Sequence, residues 1–60
     1  MRRGATVRLV AEGLTAEILG LSRGVMLTLR DGRGHVIRRR RKRCLEDARD
    51  EFWEVAGAKR

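Results

Sequence analysis

Apolar and polar residues alternate in three short stretches of the chain, which predicts three β-strands. The stretches run from Thr6 to Ala11, from Leu14 to Leu19 and from Val25 to Arg30. Val7 and Leu9 illustrate the pattern in the first of them, because every second residue there is apolar. Side chains along a strand point alternately to the two faces of a sheet. The three stretches therefore predict a sheet with one apolar face.

Turn-forming residues separate these stretches and introduce a fourth, polar strand. The turns are Glu12-Gly13, Ser22-Arg23-Gly24 and Asp31-Gly32-Arg33-Gly34. Asp-Gly is a strong hairpin signal because the primed turns need positive φ. The polar run from His35 to Arg43 follows the last turn and is interpreted as the fourth strand. Short strands at regular spacing are typical of a small β-barrel.

The end of the chain has helical periodicity, which predicts a helix from Leu45 to Ala56. Its apolar residues lie near one stripe, and its first turn is acidic, which suits the positive end of the helix dipole. Gly57 is the predicted stop. The apolar residues of the stripe are Leu45, Ala48, Phe52, Val55 and Ala56.

Phe52 and Trp53 are the two aromatic residues of the chain, and they are adjacent in this helix. One interpretation is that Phe52 plugs an open end of the barrel while Trp53 lies partly exposed on the flank. The other is that both residues dock a partner protein, since aromatic side chains are favoured at interface hot spots. The sequence leaves both interpretations open.

The stretch from Met1 to Asp47 resembles small SH3-like barrels of the KOW and Tudor-like type. The resemblance implies a mainly β fold, with an SH3-like barrel of four or five strands over residues 1–45. It also implies that residues 46–60 form a helix and tail packed on the same domain, and that the protein binds through loops and a strand face. The segments that carry the resemblance are Arg3-Gly4, Val7-Arg8-Leu9, Gly13 to Ile18, Gly24 to Leu29, Asp31-Gly32 and Cys44-Leu45.

A helical alternative exists for residues 6 to 30. Val7, Val10, Leu14, Ile18 and Leu21 also fall near helical spacing. The segment from Ala16 to Arg23 is similar to the helix-turn-helix core of excisionase-type winged-helix proteins. That resemblance implies site-specific DNA binding, with residues 23 to 30 in the major groove and the arginine run as the wing.

Charge is distributed very unevenly along the chain. The 60 residues carry 15 Lys plus Arg against 8 Asp plus Glu, for a net charge of +7. Every anion but Glu12, Glu17 and Asp31 lies after residue 43, whereas most of the cations precede residue 44. The length allows one small domain. Because no apolar run approaches a membrane helix or a signal-peptide core, we expect a soluble, cytoplasmic protein.

Six consecutive cations from Arg38 to Arg43 form the densest functional signal. In a strand, Arg38, Arg40 and Lys42 face one side, and Arg39, Arg41 and Arg43 face the other. Both sides cannot be core, so at least one file meets solvent or a polyanion. Members of a file are about 6.6–6.8 Å apart, close to the phosphate interval of a nucleic-acid strand. A solvated edge that prevents aggregation is the simpler alternative.

The sequence therefore favours a small basic protein that binds the phosphate backbone of DNA or RNA. No aromatic residue lies in the first forty-four residues, which argues against a base-stacking surface. The alternative is an interaction or assembly subunit that uses the basic strand with Phe52 and Trp53, including self-association of the acidic helix with the basic strand. The predicted nucleic-acid contacts are Arg2, Arg3, Arg30, Arg33, Arg38, Arg39, Arg40, Arg41, Lys42 and Arg43.

Catalysis, metal binding and cofactor binding have little support in the sequence. His35 could pair with Asp31, but a single histidine and a single cysteine cannot form a zinc site or an internal disulfide. No base accompanies Cys44 in a recognisable arrangement, so we expect its thiol to face the interior beside Leu45. We therefore predict a protein that is not an enzyme and that needs no metal or cofactor.

Overall fold

The chain forms four antiparallel strands followed by one helix, in a computed structural model that describes residues 1–58. The mainly β prediction is confirmed, and the strands begin and end within one or two residues of the predicted bounds. The helix continues through Gly57, which does not act as the predicted stop, and the end of the predicted tail, residues 59–60, lies outside the described residues. The elements are β1 (Thr6–Ala11), β2 (Leu14–Gly20), β3 (Val25–Arg30), β4 (Val36–Lys42) and α1 (Leu45–Ala58).

The strands form one open sheet in the order β1-β2-β3-β4. Each strand is antiparallel to its neighbour, and β1 and β4 are the two edges. No pairing joins β1 to β4 within residues 1–58, so the described structure is a four-stranded meander. Residues 16 to 29 lie in β2, β3 and their connecting turn. The helix-turn-helix alternative for this stretch is therefore wrong.

The turn between β1 and β2 shows why glycine is needed there. Glu12 has φ 53° and Gly13 has φ 74°, so both central residues are in the left-handed region that a primed two-residue turn requires. Glycine adopts this conformation without a Cβ penalty, whereas Glu12 does so at a cost. In the turn between β3 and β4, Asp31 Oδ1 accepts hydrogen bonds from the backbone N–H of Arg33 and of His35.

The core lies between one face of the sheet and α1. Alternate residues of the two central strands supply the sheet side of this core, and Phe52 is its largest fully buried side chain. Residues 7, 9 and 11 of β1 extend it at the edge. The second face of the sheet, which we call the open face, is not covered by α1. The fully buried residues are Leu14, Ala16, Ile18, Val25, Leu27, Leu29, Ala48, Phe52 and Ala56.

A bulge at the start of β4 sets which of its side chains face the helix. Leu29 pairs with Arg38, but the next residue, Arg30, pairs with Val36, so Ile37 is an extra residue on β4. Val36 therefore shares the open face with Arg30, while Arg38 shares the helix-covered face with Leu29. The bulge thus determines the phase of the whole cationic run.

Candidate nucleic-acid interface

The cationic run divides between the two faces of the sheet. Cross-strand pairing places Arg38, Arg40 and Lys42 opposite Leu29, Leu27 and Val25, which are core residues. We call these three cations the helix-side file. Arg39 and Arg41 pair with Thr28 and Met26 on the open face, and we call them the open-face file. Arg43 follows the end of β4. The predicted alternation is confirmed for residues 38–42, with the bulge setting its phase, whereas Arg43 lies beyond the strand with its Nε 3.7 Å from Asp47 Oδ2.

The helix-side file converges on one carboxylate, Glu51 of α1. Lys42 Nζ donates a hydrogen bond of 2.9 Å to Glu51 Oε1. Arg40 Nη1 lies 3.9 Å from Oε1, and Arg38 Nη1 lies 3.5 Å from Oε2. Glu51 is 7% exposed, and no hydrogen bond reaches its Oε2 among the described residues. Three cations thus surround one nearly buried anion between β4 and α1.

The pKa of Glu51 reflects a balance between burial and this cationic surrounding. Burial disfavours the carboxylate and by itself would raise the pKa. The hydrogen bond from Lys42, together with the charges of Lys42, Arg40 and Arg38, outweighs burial, so the pKa of Glu51 lies below its ordinary value. Glu51 is therefore ionised at neutral pH and ties the helix-side file to the helix.

The open-face file has no such partner. Among residues 1–58, no carboxylate lies within 4 Å of a side-chain nitrogen of Arg39 or Arg41. Arg41 Nη2 donates a hydrogen bond of 3.0 Å to the backbone carbonyl of Arg23, which fixes the direction of its guanidinium. Both arginines are exposed. Their charge is consequently available to an external anion.

Sheet topology gathers further cations at one end of the molecule. The start of β1, the β2–β3 turn and the end of β4 all lie at this end because adjacent strands are antiparallel. The N-terminal segment is held there by hydrogen bonds from Gly4 N to Gly20 O, 2.9 Å, and from Gly20 N to Ala5 O, 2.8 Å. We call this group of side chains the basic end; it consists of Arg2, Arg3, Arg23, Arg41 and Arg43.

Glycine permits close backbone packing at the basic end. A Cβ on Gly20 would meet the carbonyl oxygen of Arg2, and a Cβ on Gly24 would meet the carbonyl oxygen of Lys42. Gly24 also has φ +78°, in the left-handed region. These two approaches bring the N-terminal segment and the β2–β3 turn against the ends of β2 and β4. The basic end is therefore shaped by backbone contacts that any larger residue would disturb.

Two open concavities lie at the basic end, and Arg41 lines both. The first, of about 460 Å³, is lined by Arg23, Gly24, Arg41, Lys42 and Arg43. The second, of about 450 Å³, is lined by Arg3, Gly4, Leu19, Gly20, Leu21, Ser22 and Arg41. No aspartate or glutamate lines either concavity. Their walls combine guanidinium groups with glycine backbone, which suits a phosphate group.

Arg30 and Arg33 lie away from this cluster, although the sequence grouped them with it. They belong to the end of β3 and the β3–β4 turn, at the opposite end of the sheet. Arg30 Nε donates a hydrogen bond of 2.8 Å to Glu17 Oε1, and its Nη1 donates one of 3.0 Å to Gly34 O. The ten predicted contact residues therefore fall into three groups: the helix-side file around Glu51, the open-face file with the basic end, and Arg30 with Arg33 at the opposite end.

Two expectations about single residues need correction. Phe52 belongs to the core and has no exposed surface, so it cannot contact a partner while the chain is folded. Trp53 is 48% exposed and meets Phe52 edge-on, with ring centroids 5.0 Å apart. Cys44 is exposed and does not face the interior, because it lies in the short connection between β4 and α1.

Two residues of the site were missed by sequence reasoning. Glu51 is one of five carboxylates in the helical segment, and only the packing of α1 across β4 distinguishes it. Its position beside Phe52, on the border of the apolar stripe, was the available signal. Arg23 was counted as part of a turn. The Asp-Gly signal predicts that β3 and β4 are antiparallel, and this pairing would have placed the β2–β3 turn, which contains Arg23, beside the end of β4.

Other kinds of site have little support within the described residues. His35 Nδ1 lies 4.0 Å from Asp31 Oδ2, a weak contact at the surface. Residues 1–58 contain no group of three His, Cys, Asp or Glu side chains arranged to hold a metal ion. No helix in this part of the chain is both long enough and apolar enough to cross a membrane. Comparison with protein-family models, curated proteins and solved structures found no match.

Proposed function

We propose that this protein binds the phosphate backbone of a nucleic acid through the open-face file and the basic end. The observation that carries the proposal is the separation of the cations. The three cations of the helix-side file are paired with Glu51, whereas Arg39 and Arg41 have no carboxylate within 4 Å among the described residues. Arg41 also borders two concavities that have no acidic lining. A polyanion is the partner for which this charge distribution is best suited.

The spacing of the open-face file supports backbone contact. Arg39 and Arg41 are two residues apart on one strand, so their Cα atoms are about 6.6–6.8 Å apart, near the interval between phosphates of one strand. Guanidinium groups bind phosphate in a bidentate manner. The open face contains no aromatic residue, since Trp53 lies on α1 on the other side of the sheet. A duplex or folded RNA, recognised by shape and backbone, is therefore favoured over stacked single-strand bases.

The helix-side file has a positioning role in this proposal. Lys42, Arg40 and Arg38 hold β4 against α1 through Glu51, and their side chains point away from the open face. Their ion pairs hold β4 against α1 in one register, which keeps Arg39 and Arg41 on the open face. We accordingly place nucleic-acid contact at five of the ten predicted residues, Arg2, Arg3, Arg39, Arg41 and Arg43, and add Arg23.

The finer classification is also a proposal. The four-stranded meander with short turns supports the resemblance to SH3-like proteins of the KOW and Tudor-like type. An experimental structure that shows the sheet curled into a barrel would establish that class, and a flat meander would contradict it. We further propose that the protein is a binding module of the cytoplasm and has no catalytic activity.

Fluorescence anisotropy with labelled nucleic acids tests the proposal. The double variant R39A/R41A is compared with R33A/R49A, which removes the same charge from the far turn and from α1. Probes are a short DNA duplex, an RNA duplex and the corresponding single strands, titrated between about 50 and 200 mM salt. We expect R39A/R41A to weaken duplex binding at least tenfold and to reduce the salt slope by about 1–2.

The matched control distinguishes binding at the proposed site from binding that depends only on the net charge of the protein. If R33A/R49A weakens binding as much as R39A/R41A, the interaction depends on total charge and the proposed site is wrong. If the wild type binds none of the probes at the lowest salt, the proposed function is wrong. Tighter binding of single strands than of duplexes would reject the duplex preference while leaving the site in place.

A second candidate function is protein binding, and the position of Trp53 favours it. Its ring is half exposed on the outer surface of α1, among side chains that are mostly acidic. An exposed tryptophan within a charged surface is a typical anchor of a protein interface. Replacing Trp53 by alanine should abolish such an interaction without unfolding the chain, which circular dichroism checks.

A further inference from the structure

Two surfaces on opposite sides of the molecule carry opposite charge. The outer surface of α1 exposes Glu46, Asp50 and Glu54, with Trp53 beside them. The open face of the sheet, on the other side, exposes Arg39 and Arg41. The core lies between these two surfaces. Each copy of the chain therefore presents an acidic, aromatic-bearing helix on one side and a basic strand on the other.

The line of carboxylates on the acidic surface is not explained by the fold beyond Glu46, which lies in the first turn and suits the positive end of the helix dipole. Glu46, Asp50 and Glu54 follow each other at four-residue intervals, so they lie in one line along the helix. Like charges at this spacing destabilise a helix. None of the three makes an ion pair within 4 Å among the described residues. A line of like charges that opposes folding is readily explained if a cationic surface covers it.

The two surfaces also match in spacing. Four residues of α-helix advance about 6 Å along the axis. Two residues of strand advance about 6.6–6.8 Å. Asp50 and Glu54 can therefore face Arg39 and Arg41 in register when α1 lies along β4 of another copy. Leu19, 41% exposed on the open face, and Met26 beside it are available to the ring of Trp53.

We propose that this protein self-assembles head to tail, with the outer surface of α1 of one copy bound to the open face of the next. This goes beyond the second candidate function by identifying the partner as a second copy of the chain. The contact is heterologous, because the two surfaces differ and lie on opposite sides, so both remain available at the ends of each assembly. The product is a chain of copies whose length grows with concentration.

The open-face file would serve both this contact and nucleic-acid binding. Nucleic acid therefore competes with assembly for Arg39 and Arg41, and a duplex should shorten the assemblies. The self-assembly test below contains no nucleic acid, so its failure leaves the anisotropy experiment unaffected. Conversely, a protein that binds no nucleic acid can still assemble.

Sedimentation velocity of wild-type protein over a range of concentrations gives the first readout. We expect a sedimentation coefficient that rises continuously with concentration at low salt and that falls to the monomer value at high salt. Trp53, the single tryptophan of the chain, reports directly on the contact. Its emission should shift to shorter wavelength as the assemblies form. Association that stops at the dimer, or that is insensitive to salt, would overturn the head-to-tail contact.

Charge reversal supplies the decisive comparison. The variant R39E/R41E has an acidic open face and an acidic helix, while D50R/E54R has a basic open face and a basic helix. Each alone should associate at least tenfold more weakly than wild type, because its two surfaces repel. Mixed in equal amounts they should assemble again, since both contacts between unlike variants are complementary. Mixtures that remain monomeric would contradict the proposal.

Two controls keep this comparison interpretable. Circular dichroism of each variant establishes that it is folded, and restored assembly in the mixture is itself evidence of folding. If either double variant is unfolded, the single variants R41E and E54R are mixed in the same way. The variant R33E changes one charge at the far turn, where the proposed contact does not reach. Assembly weakened as strongly by R33E as by R41E would show that net charge, and not the proposed interface, controls association.

Discussion

The two cationic files of β4 have the same residue types but opposite surroundings. Lys42, Arg40 and Arg38 surround a carboxylate that is almost fully buried, whereas Arg39 and Arg41 face the uncovered side of the sheet. The difference arises from strand alternation and from α1, which covers one face only. A run of six cations therefore combines two roles: one file stabilises the packing of β4 on the helix, and the other is available to bind an anion.

The largest expected effect on stability comes from removing the charge of Glu51, the anion that the helix-side file surrounds. The variant E51Q leaves three cations close together without a counter-charge. It also places a nearly buried amide, which carries donor hydrogens, among cations that need acceptors. We expect a loss of about 2–3 kcal/mol of unfolding free energy, somewhat below the usual range for broken buried pairs because the cations are partly exposed. Urea denaturation measures it.

The matched control for this change is E17Q on the open face. Glu17 pairs with Arg30, and both side chains are substantially exposed, so its loss should cost less than about 1 kcal/mol. Equal destabilisation by E51Q and E17Q would mean that the two sides of the sheet do not differ in the way described.

Acid provides a second way to remove the charge of Glu51. Its pKa in the folded protein is lower than its ordinary value of 4.5, so the carboxylate stabilises the fold fully above that value. The stabilisation is lost as pH falls through the lowered pKa. We therefore expect the stability difference between wild type and E51Q to shrink as the pH falls from neutral to strongly acidic. A difference independent of pH would contradict this linkage.

A smaller effect should follow from neutralising the helix-side lysine. K42M removes the closest partner of Glu51 but leaves Arg38 and Arg40 nearby, and the methionine stem can pack against the helix. We expect a loss of about 1–2 kcal/mol, measured by urea denaturation. The same change on the open face, R41M, is the comparison. If R41M destabilises the protein as much as K42M, Arg41 has a structural role that the open-face position does not explain.

The smallest effect on stability is expected for the open-face file itself. R39A/R41A removes two exposed side chains without carboxylate partners in the described part of the chain, so the unfolding free energy should stay within about 0.5 kcal/mol of wild type. The same variant should lose nucleic-acid affinity at least tenfold. A variant that loses affinity but keeps its stability identifies a binding surface. Thermal or urea unfolding beside anisotropy gives both measurements on one sample.

Much of the fold could be predicted because short-range chemistry determines it. The Glu12-Gly13 pair forms a primed two-residue turn as predicted, whereas Asp31-Gly32 lies in a longer connection over residues 31–35 in which Gly34 has the positive φ. Alternation of apolar residues such as Leu27 and Leu29 fixes which face is buried. The start of α1 at Leu45 follows from its apolar stripe. The position of Cys44 was wrongly predicted because one residue in a connection has no periodicity to define its direction.

The site was less predictable because it depends on which elements meet. The sequence shows only that Glu51 lies on the border of the apolar stripe, and its pairing with three cations follows from the packing of α1 against β4. The sequence also could not show how far Arg30 and Arg33 lie from the other predicted phosphate contacts. They are near in sequence to the arginine run, but the hairpin sends them to the opposite end of the sheet.

The order of residues predicts four strands, the turns between them and a final helix, because alternation, positive-φ positions and helical periodicity act over a few residues. It also determined that the cations of β4 must divide into two files. Which file is neutralised depends on the bulge at Ile37 and on the face that α1 covers, and both are properties of the folded chain. Electrostatic pairing between distant segments requires their spatial positions, and no local pattern contains them.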